Sequence, residues 1–253
     1  MNAETGFRFP FQTFRSAASF ADFVRAQQKL LDLRYGYEQA RAASAQGPVM
    51  VSAGSCGLCL RATSFSTNLP AADAPSGTQP NWREEMHCGC PHRLNNRFRA
   101  LLHFLASDVD PPDWARILLL GAAQPIEPYL QRRGGAVSVR ARSGRLLRAP
   151  RFEAQSYHLI LSSEHLHAEP ELDSVLAGLR DALMPGGRLV FTAPFDTASA
   201  ACRPPCGGAG GVLGWDVLKR LTMAGFSAPA AHLFWSEEFG YLGPFNLIFA
   251  ASA

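Results

Sequence analysis

From residue 114 onward the apolar positions fall into short continuous runs, and amphipathic stretches separate them. Residues 117–120, 136–139, 157–161 and 187–193 predict strands buried on both faces, and 127–133, 170–183 and 215–224 predict the helices between them. A last apolar run, 245–251, predicts a closing strand. Buried strands alternating with helices predict an α/β fold, a Rossmann-like and mostly parallel sheet covered on both sides.

Upstream the rhythm differs. Phe20, Phe23, Leu30, Leu31 and Leu33, with Tyr35 and Tyr37 nearby, fit an amphipathic helix capped by Ser19. Residues 49–56 read as a short strand entering a pair of cysteines, and 66–81 as a polar loop. Residues 94–105 read as a helix with Leu94, Phe98, Leu101, Leu102 and Leu105 on one face. The expected division is an N-terminal helical arm at 1–48, a cysteine module with its following helix at 49–106, and the α/β body at 107–253. The arm is expected to pack on the body or on a partner, a homodimer included.

Composition adds limits. With 253 residues, 47% of them hydrophobic, the chain can bury one sizeable core and a small accessory module. No apolar run reaches the roughly 18 residues that span a bilayer, and the first residues lack the basic and apolar regions of a signal peptide. The expectation is a cytoplasmic protein with no membrane partner. A net charge of +3 conceals a local bias: Arg116, Arg132, Arg133, Arg140, Arg142, Arg145, Arg148 and Arg151 are accompanied by a single acid, Glu127. Such a stretch suits an anionic small-molecule or carrier-bound partner, although a solvated arginine-rich surface explains it equally well.

In this compartment the six cysteines point to ligands, nucleophiles or core residues before a disulfide framework. Cys56 and Cys59 form a CxxC pair, and 28 residues separate Cys59 from Cys88, which Cys90 and His92 follow closely. A CxxC turn presents two thiolates together, and a second pair completes the tetrahedral set that zinc prefers. Cys56, Cys59, Cys88 and Cys90 are the predicted metal ligands, with His87 and His92 as substitutes for one thiolate. A four-thiolate site has no open position, so the zinc would be structural. Reduced core cysteines and a redox dithiol are the alternatives. Cys202 and Cys206, two prolines between them and a glycine-rich run behind, read as a flexible loop over a site, with a second metal or a reversible disulfide as alternatives.

Three stretches carry a resemblance. Tyr157-His-Leu-Ile-Leu is followed by Glu164-His165, then a helix, then Met184-Pro-Gly-Gly before the next strand. This resembles the class I S-adenosylmethionine-dependent methyltransferases, whose fourth strand reads roughly Phe-Asp-Leu-Ile before a Glu-His pair and a Pro-Gly-Gly turn. The cysteine module with Leu94-Asn-Asn-Arg97 and Arg99, together with Gly214-Trp-Asp and Trp235 to Gly243, is similar to a bacterial subgroup bearing a zinc-binding module. In that subgroup a cysteine stands where His92 stands here. The resemblance covers about residues 50–250 and implies a methyltransferase acting on a small molecule within a biosynthetic pathway.

The cofactor loop departs from that family. Where relatives carry an acid and three spaced glycines, this chain has Gly121, Ala122 and Ala123, and Pro125 removes a backbone donor. Where an acid holds the ribose diol, Arg140 stands. Gly121, Ala122, Ala123, Arg140, Ser163 and Glu164 are the cofactor-binding candidates. A hydrogen bond to a charged group is worth about 1.5–3 kcal/mol, and about 1.4 kcal/mol costs tenfold in affinity, so weakened or lost S-adenosylmethionine binding is expected.

At the carboxyl edge of the predicted sheet, His165 and His167 are the candidate general bases, since histidine titrates where such chemistry runs. A loop histidine without a task is the plain alternative. Three functions follow: an enzyme of this fold with atypical or lost cofactor binding, a non-catalytic relative serving as a zinc-stabilised partner-binding or dimerisation protein, and a nucleic-acid binder. The scarcity of lysine makes the last the weakest.

Overall fold

A computed structural model describes residues 10–71, 73–75, 78–121, 124–132, 136–140, 152–203 and 210–253, without the side chains of 124, 139 and 140. In chain order the elements are β1 (Phe11–Phe14), α1 (Ala17–Ala26), α2 (Gln28–Ala43), β2 (Val49–Cys56), β3 (Arg61–Asn68), α3 (Trp82–Glu85), β4 (His87–Cys88), α4 (Asn96–Phe104), β5 (Arg116–Gly121), α5 (Glu127–Arg132), β6 (Ala136–Arg140), β7 (Tyr157–Ser163), α6 (Leu172–Ala182), β8 (Leu183–Thr192), α7 (Asp216–Met223), β9 (Ser227–Phe234) and β10 (Leu247–Ser252). They fall into two compact units. The first combines residues 1–12, 21–107 and 233–246; the second combines 13–20, 108–232 and 247–253.

The second unit is built on the seven-stranded sheet β1-β9-β10-β8-β7-β5-β6. β5 pairs in parallel with β6 and β7, and β7 with β8; β10 runs antiparallel to β8. The apolar runs explain the centre. Leu118, Leu119, Leu159, Ile160, Leu161, Leu189 and Val190 are fully buried, as strands covered on both faces require. α6 buries Leu172, Val175, Leu176 and Leu179, spaced at one helical face. Phe191 and Phe249 stack across β8 and β10, centroids 5.0 Å apart.

Three local features differ from the sequence expectation. Pro185-Gly186-Gly187 lies inside β8 and does not precede it: Tyr157 is opposite Leu183 while Leu159 is opposite Arg188, so the segment bulges out of register, with Gly186 at φ +77°. Ser16 and not Ser19 stands ahead of α1. Its hydroxyl accepts from the Ser19 amide at 3.1 Å, and Ser19 Oγ accepts in return from the Ser16 amide at 3.3 Å, a reciprocal cap. The loop expected from residue 66 begins later, because β3 runs to Asn68.

In the first unit, β2 and β3 form an antiparallel hairpin from Val49 opposite Asn68 to Cys56 opposite Arg61, and β4 joins it through Phe65 opposite Cys88. Asn95 caps α4 by accepting from the Phe98 amide at 3.0 Å. Its side-chain amide donates to Glu84, which also receives a two-pronged contact from Arg97 at 2.7 and 2.9 Å. The segment 236–241 closes on itself through paired Ser236 and Tyr241 backbone bonds. It lies against the hairpin, because the Ser55 amide donates to the Glu238 carbonyl at 2.8 Å.

Candidate functional site

Two clusters of functional side chains stand out, one in each unit. In the first, β2 ends on Cys56, the turn to β3 carries Cys59, and β4 ends on Cys88 just before Cys90. The hairpin register thereby brings residues 32 apart in sequence into one cluster. The sulfurs of Cys56, Cys88 and Cys90 lie within 4.8 Å of one another, all buried. Cys56 and Cys90 are 3.9 Å apart and Cys88 and Cys90 2.7 Å; Cys59, half-buried on the turn, stands outside this group of three. A tetrahedral zinc site with Zn–S near 2.3 Å sets its sulfurs about 3.8 Å apart. The first distance matches that edge, and the second is about 1 Å tighter.

Crowding forces the thiols to share protons. Hydrogen bonding from Cys88 holds Cys56 down to about 4 against the opposing effect of burial. The same bond, with burial, pushes Cys88 up, and burial followed by the neighbouring Cys56 pushes Cys59 up. His87 is exposed and its Nδ1 is 2.8 Å from the Glu85 carbonyl; His92 is half-buried, and neither is in the three-sulfur cluster.

The second cluster forms at the carboxyl ends of β5 and β7. β6 lies on one side of β5 and β7 on the other, so the order in which strands are added reverses at β5, and ligands of open α/β sheets bind outside such a switch point. Gly121 closes β5 at φ +75°, opposite Ser163. A Cβ there would lie 2.7 Å from both the His165 Cβ and the Ser163 carbonyl oxygen, so glycine is required by the packing of this chain on itself. Glu164 takes φ +50°, an uncommon conformation for a non-glycine residue, and its amide donates to the Thr192 carbonyl at 3.0 Å.

That reversal aims His165 at Glu169, Nε2 to Oε1 3.2 Å, with both side chains largely buried. The His167 carbonyl accepts from the Gly211 amide at 3.1 Å, and a Cβ at Gly210 would lie 2.6 Å from its Nε2. Gly210 and Gly211 therefore rest on His167. Ser162 Oγ and Thr192 Oγ1, at the ends of β7 and β8, are buried with no hydrogen-bond partner among the described residues. A cavity of about 460 Å³ is lined by His167, Glu169, Glu171, Cys202, Arg203 and Arg220, among others.

Of the predicted cofactor residues, Gly121, Ser163 and Glu164 meet at this edge, and Arg140 ends the neighbouring β6. Ala122, Ala123 and Cys206 lie outside the described residues, as does the Arg140 side chain. Cys202 is a different kind of thiol from Cys56. Burial, then a hydrogen bond to Asp216, pushes it up to about 11, and the Gly214 amide donates to its sulfur at 3.4 Å. Glu169, Ser162 and Thr192 were not legible as site residues. Only the four-residue spacing from His165 to Glu169 could have signalled the first, and nothing local signals the hydroxyls.

No known family model matches this sequence, and no curated protein does. Solved structures with a similar fold include an S-adenosylmethionine-dependent methyltransferase from Mesorhizobium loti, 16% identical, the match covering 62% of this chain and 98% of that one at a TM-score of 0.48. Phosphoethanolamine N-methyltransferase 2 from Haemonchus contortus, in complex with S-adenosyl-L-methionine, is 11% identical over 62% of this chain and 52% of that one, TM-score 0.42. The [4+2]-cyclase SpnF is 16% identical over 53% and 60%, TM-score 0.41.

Proposed function

We propose that the second unit is an enzyme of methyltransferase fold acting on a small molecule at the β5–β7 switch point, with cofactor binding altered or lost. The observation that carries this reading is the His165–Glu169 pair. A carboxylate facing Nε2 selects the tautomer with the hydrogen on that nitrogen, which leaves the Nδ1 lone pair as the base. Glu169 also stabilises the imidazolium once His165 has taken a proton, and it lines the adjoining cavity. The strained turn at Glu164 holds this geometry.

On this reading S-adenosylmethionine binding in the manner of the resembled family is weakened or lost. The ground above Gly121 is filled by His165, and an arginine stands at the position of the diol-binding acid. Calorimetric titration decides the matter: micromolar affinity restores a methyltransferase, and no heat at millimolar S-adenosylmethionine removes methyl transfer. The packing of His165 on Gly121 also favours a second reading, a non-catalytic relative that binds a partner or dimerises through the exposed Leu30, Leu33 and Tyr35 of α2.

Under either reading Cys56, Cys59, Cys88 and Cys90 hold a structural zinc ion. The donor set fits: three buried sulfurs already share one small volume, and Cys59 stands on the turn that follows Cys56. When bound, zinc would cross-link the β2–β3 turn to the end of β4. Elemental analysis of the purified protein tests this, and less than stoichiometric metal in the wild type removes it.

A further inference from the structure

We propose that a cavity in the first unit binds a small, neutral, planar amide or lactam carried on an apolar body, independently of the chemistry at the β5–β7 switch point. The cavity, about 230 Å³, is lined mainly by α2 and by residues 233–245. Leu31, Tyr35, Leu233 and Phe245 make its walls largely apolar. Its volume lies below the roughly 300–1,000 Å³ usual for drug-sized ligands, so the occupant is small. Arg34 and Glu38 also line it, one turn apart on α2 and so on one face of that helix.

These two groups are the complementary halves of a hydrogen-bonding edge. The Arg34 guanidinium carbon lies 4.7 Å over the Trp235 ring, and its Nε is buried with no hydrogen-bond partner among the described residues. A buried donor left unmet is destabilising, and a void left by imperfect packing gives no reason to hold one there. Glu38 accepts from the Trp235 indole at 2.7 Å and from the Gly243 amide at 2.8 Å, both on Oε1. Among the described residues no bond is made to its Oε2. Trp235 thus fixes both groups, as the surface under the arginine and as the donor that orients the carboxylate, and a ligand meets them already ordered.

A donor beside an acceptor selects an acceptor beside a donor. A carboxamide or lactam offers its carbonyl oxygen to Arg34 and its N–H to Glu38 Oε2. A carboxylate would satisfy Arg34 but set its charge against Glu38, and an amidinium would satisfy Glu38 but face Arg34. The other polar side chains of the lining, Gln28 and Asp32, are exposed and bonded to each other at 2.8 Å. Phe245 takes φ +48° in the cavity wall. That conformation is costly for a bulky side chain, and such strain gathers where the chain is shaped around a ligand.

Three probes of one shape test the class. Benzamide, benzoate and benzamidine are titrated at pH 8 into the full chain and followed at the Trp235 indole N–H in proton–nitrogen correlation spectra. Benzamide is expected to shift that signal saturably with a Kd on the order of 1 mM, as suits so few atoms, and the two ions to bind at least about tenfold more weakly. Arg34→Met is expected to weaken benzamide at least about tenfold. Glu38→Gln keeps the oxygen that holds Trp235 and Gly243 but turns the other acceptor into a donor, so it is expected to weaken benzamide and strengthen benzoate, each at least about tenfold. Should either variant fail to fold, the order of the three probes on the wild type decides. No saturable shift with benzamide, a tighter fit for benzoate or benzamidine in the wild type, or unchanged benzamide affinity in Arg34→Met overturns the proposal.

Discussion

Glu38 and Trp235 meet inside the first unit, where Glu38 Oε1 accepts from the indole Nε1 at 2.7 Å and, on the same oxygen, from the Gly243 amide at 2.8 Å. The carboxylate is buried, and burial raises its pKa against the opposing pull of those two bonds. For an acid, a raised folded pKa means stability that is present below the unfolded value and lost as pH rises through the folded one. At neutral pH the charge on Glu38 is therefore a cost, while its oxygen is an asset. Glu38→Gln keeps that oxygen and removes the charge, so urea unfolding at pH 8 should show stability within about 1 kcal/mol of the wild type or above it. Glu38→Ala leaves two buried donors unmet and should cost about 2–4 kcal/mol.

His232 on β9 should make the second unit acid-sensitive. Its Nδ1 lies 3.0 Å from Thr13 Oγ1 on β1. Burial first, then Arg188 and Arg15, lowers its pKa to about 4 from an ordinary 6.5. A base with a depressed folded pKa is protonated more readily when unfolded, so stability is full above about pH 6.5 and falls as the pH drops toward 4. At about 1.4 kcal/mol per unit the loss is about 2–3 kcal/mol. Denaturant midpoints at pH 7.5 and 4.5 should show it in the wild type, and His232→Gln should flatten the His232 part of the profile.

The two kinds of cysteine should separate cleanly. Cys56→Ser removes one sulfur of the cluster and should abolish stoichiometric zinc, with the first unit melting earlier. Cys202→Ser touches a thiol that burial holds protonated, and should leave zinc content unchanged. Metal analysis beside thermal melts checks both; loss of zinc in Cys202→Ser would place this cysteine among the ligands.

How far the sequence carried these sites depended on whether a signal was local. Continuous apolar runs at β5 and β7 announce buried parallel strands, and CxxC announces a paired-thiolate turn. β9 is written Ser-Ala-Pro-Ala-Ala-His-Leu-Phe, too rich in small residues and proline to read as a strand, and it forms because its neighbours in the sheet supply the pairing. β1, four residues ahead of a helical stretch, has too little length to show a period of two. Arg99 belongs to the stretch that resembles the zinc-bearing subgroup, and nothing in that pattern announces that it is buried. Its burial is set by the turn 236–241, about 140 residues later in the chain. Pro185-Gly186-Gly187 carried the right conformational signal, positive φ, but that signal does not distinguish a turn before a strand from a bulge within it.

Gly121→Ala tests whether the switch point belongs to the chain or to a ligand. At φ +75° an alanine is strained, and its Cβ would meet the His165 Cβ and the Ser163 carbonyl oxygen at 2.7 Å. One of these is backbone of β7, which cannot move aside without opening the sheet, so a loss of about 2–4 kcal/mol is expected from strain and overlap together. Were the glycine instead kept to let a ligand approach, with the surrounding chain able to yield, the variant would unfold at nearly the wild-type denaturant concentration and lose affinity only. A large fall in the unfolding midpoint assigns Gly121 to the packing of His165, and with it the placing of the His165–Glu169 pair. An unchanged midpoint with loss of S-adenosylmethionine binding reopens the methyltransferase assignment at the one glycine that remains.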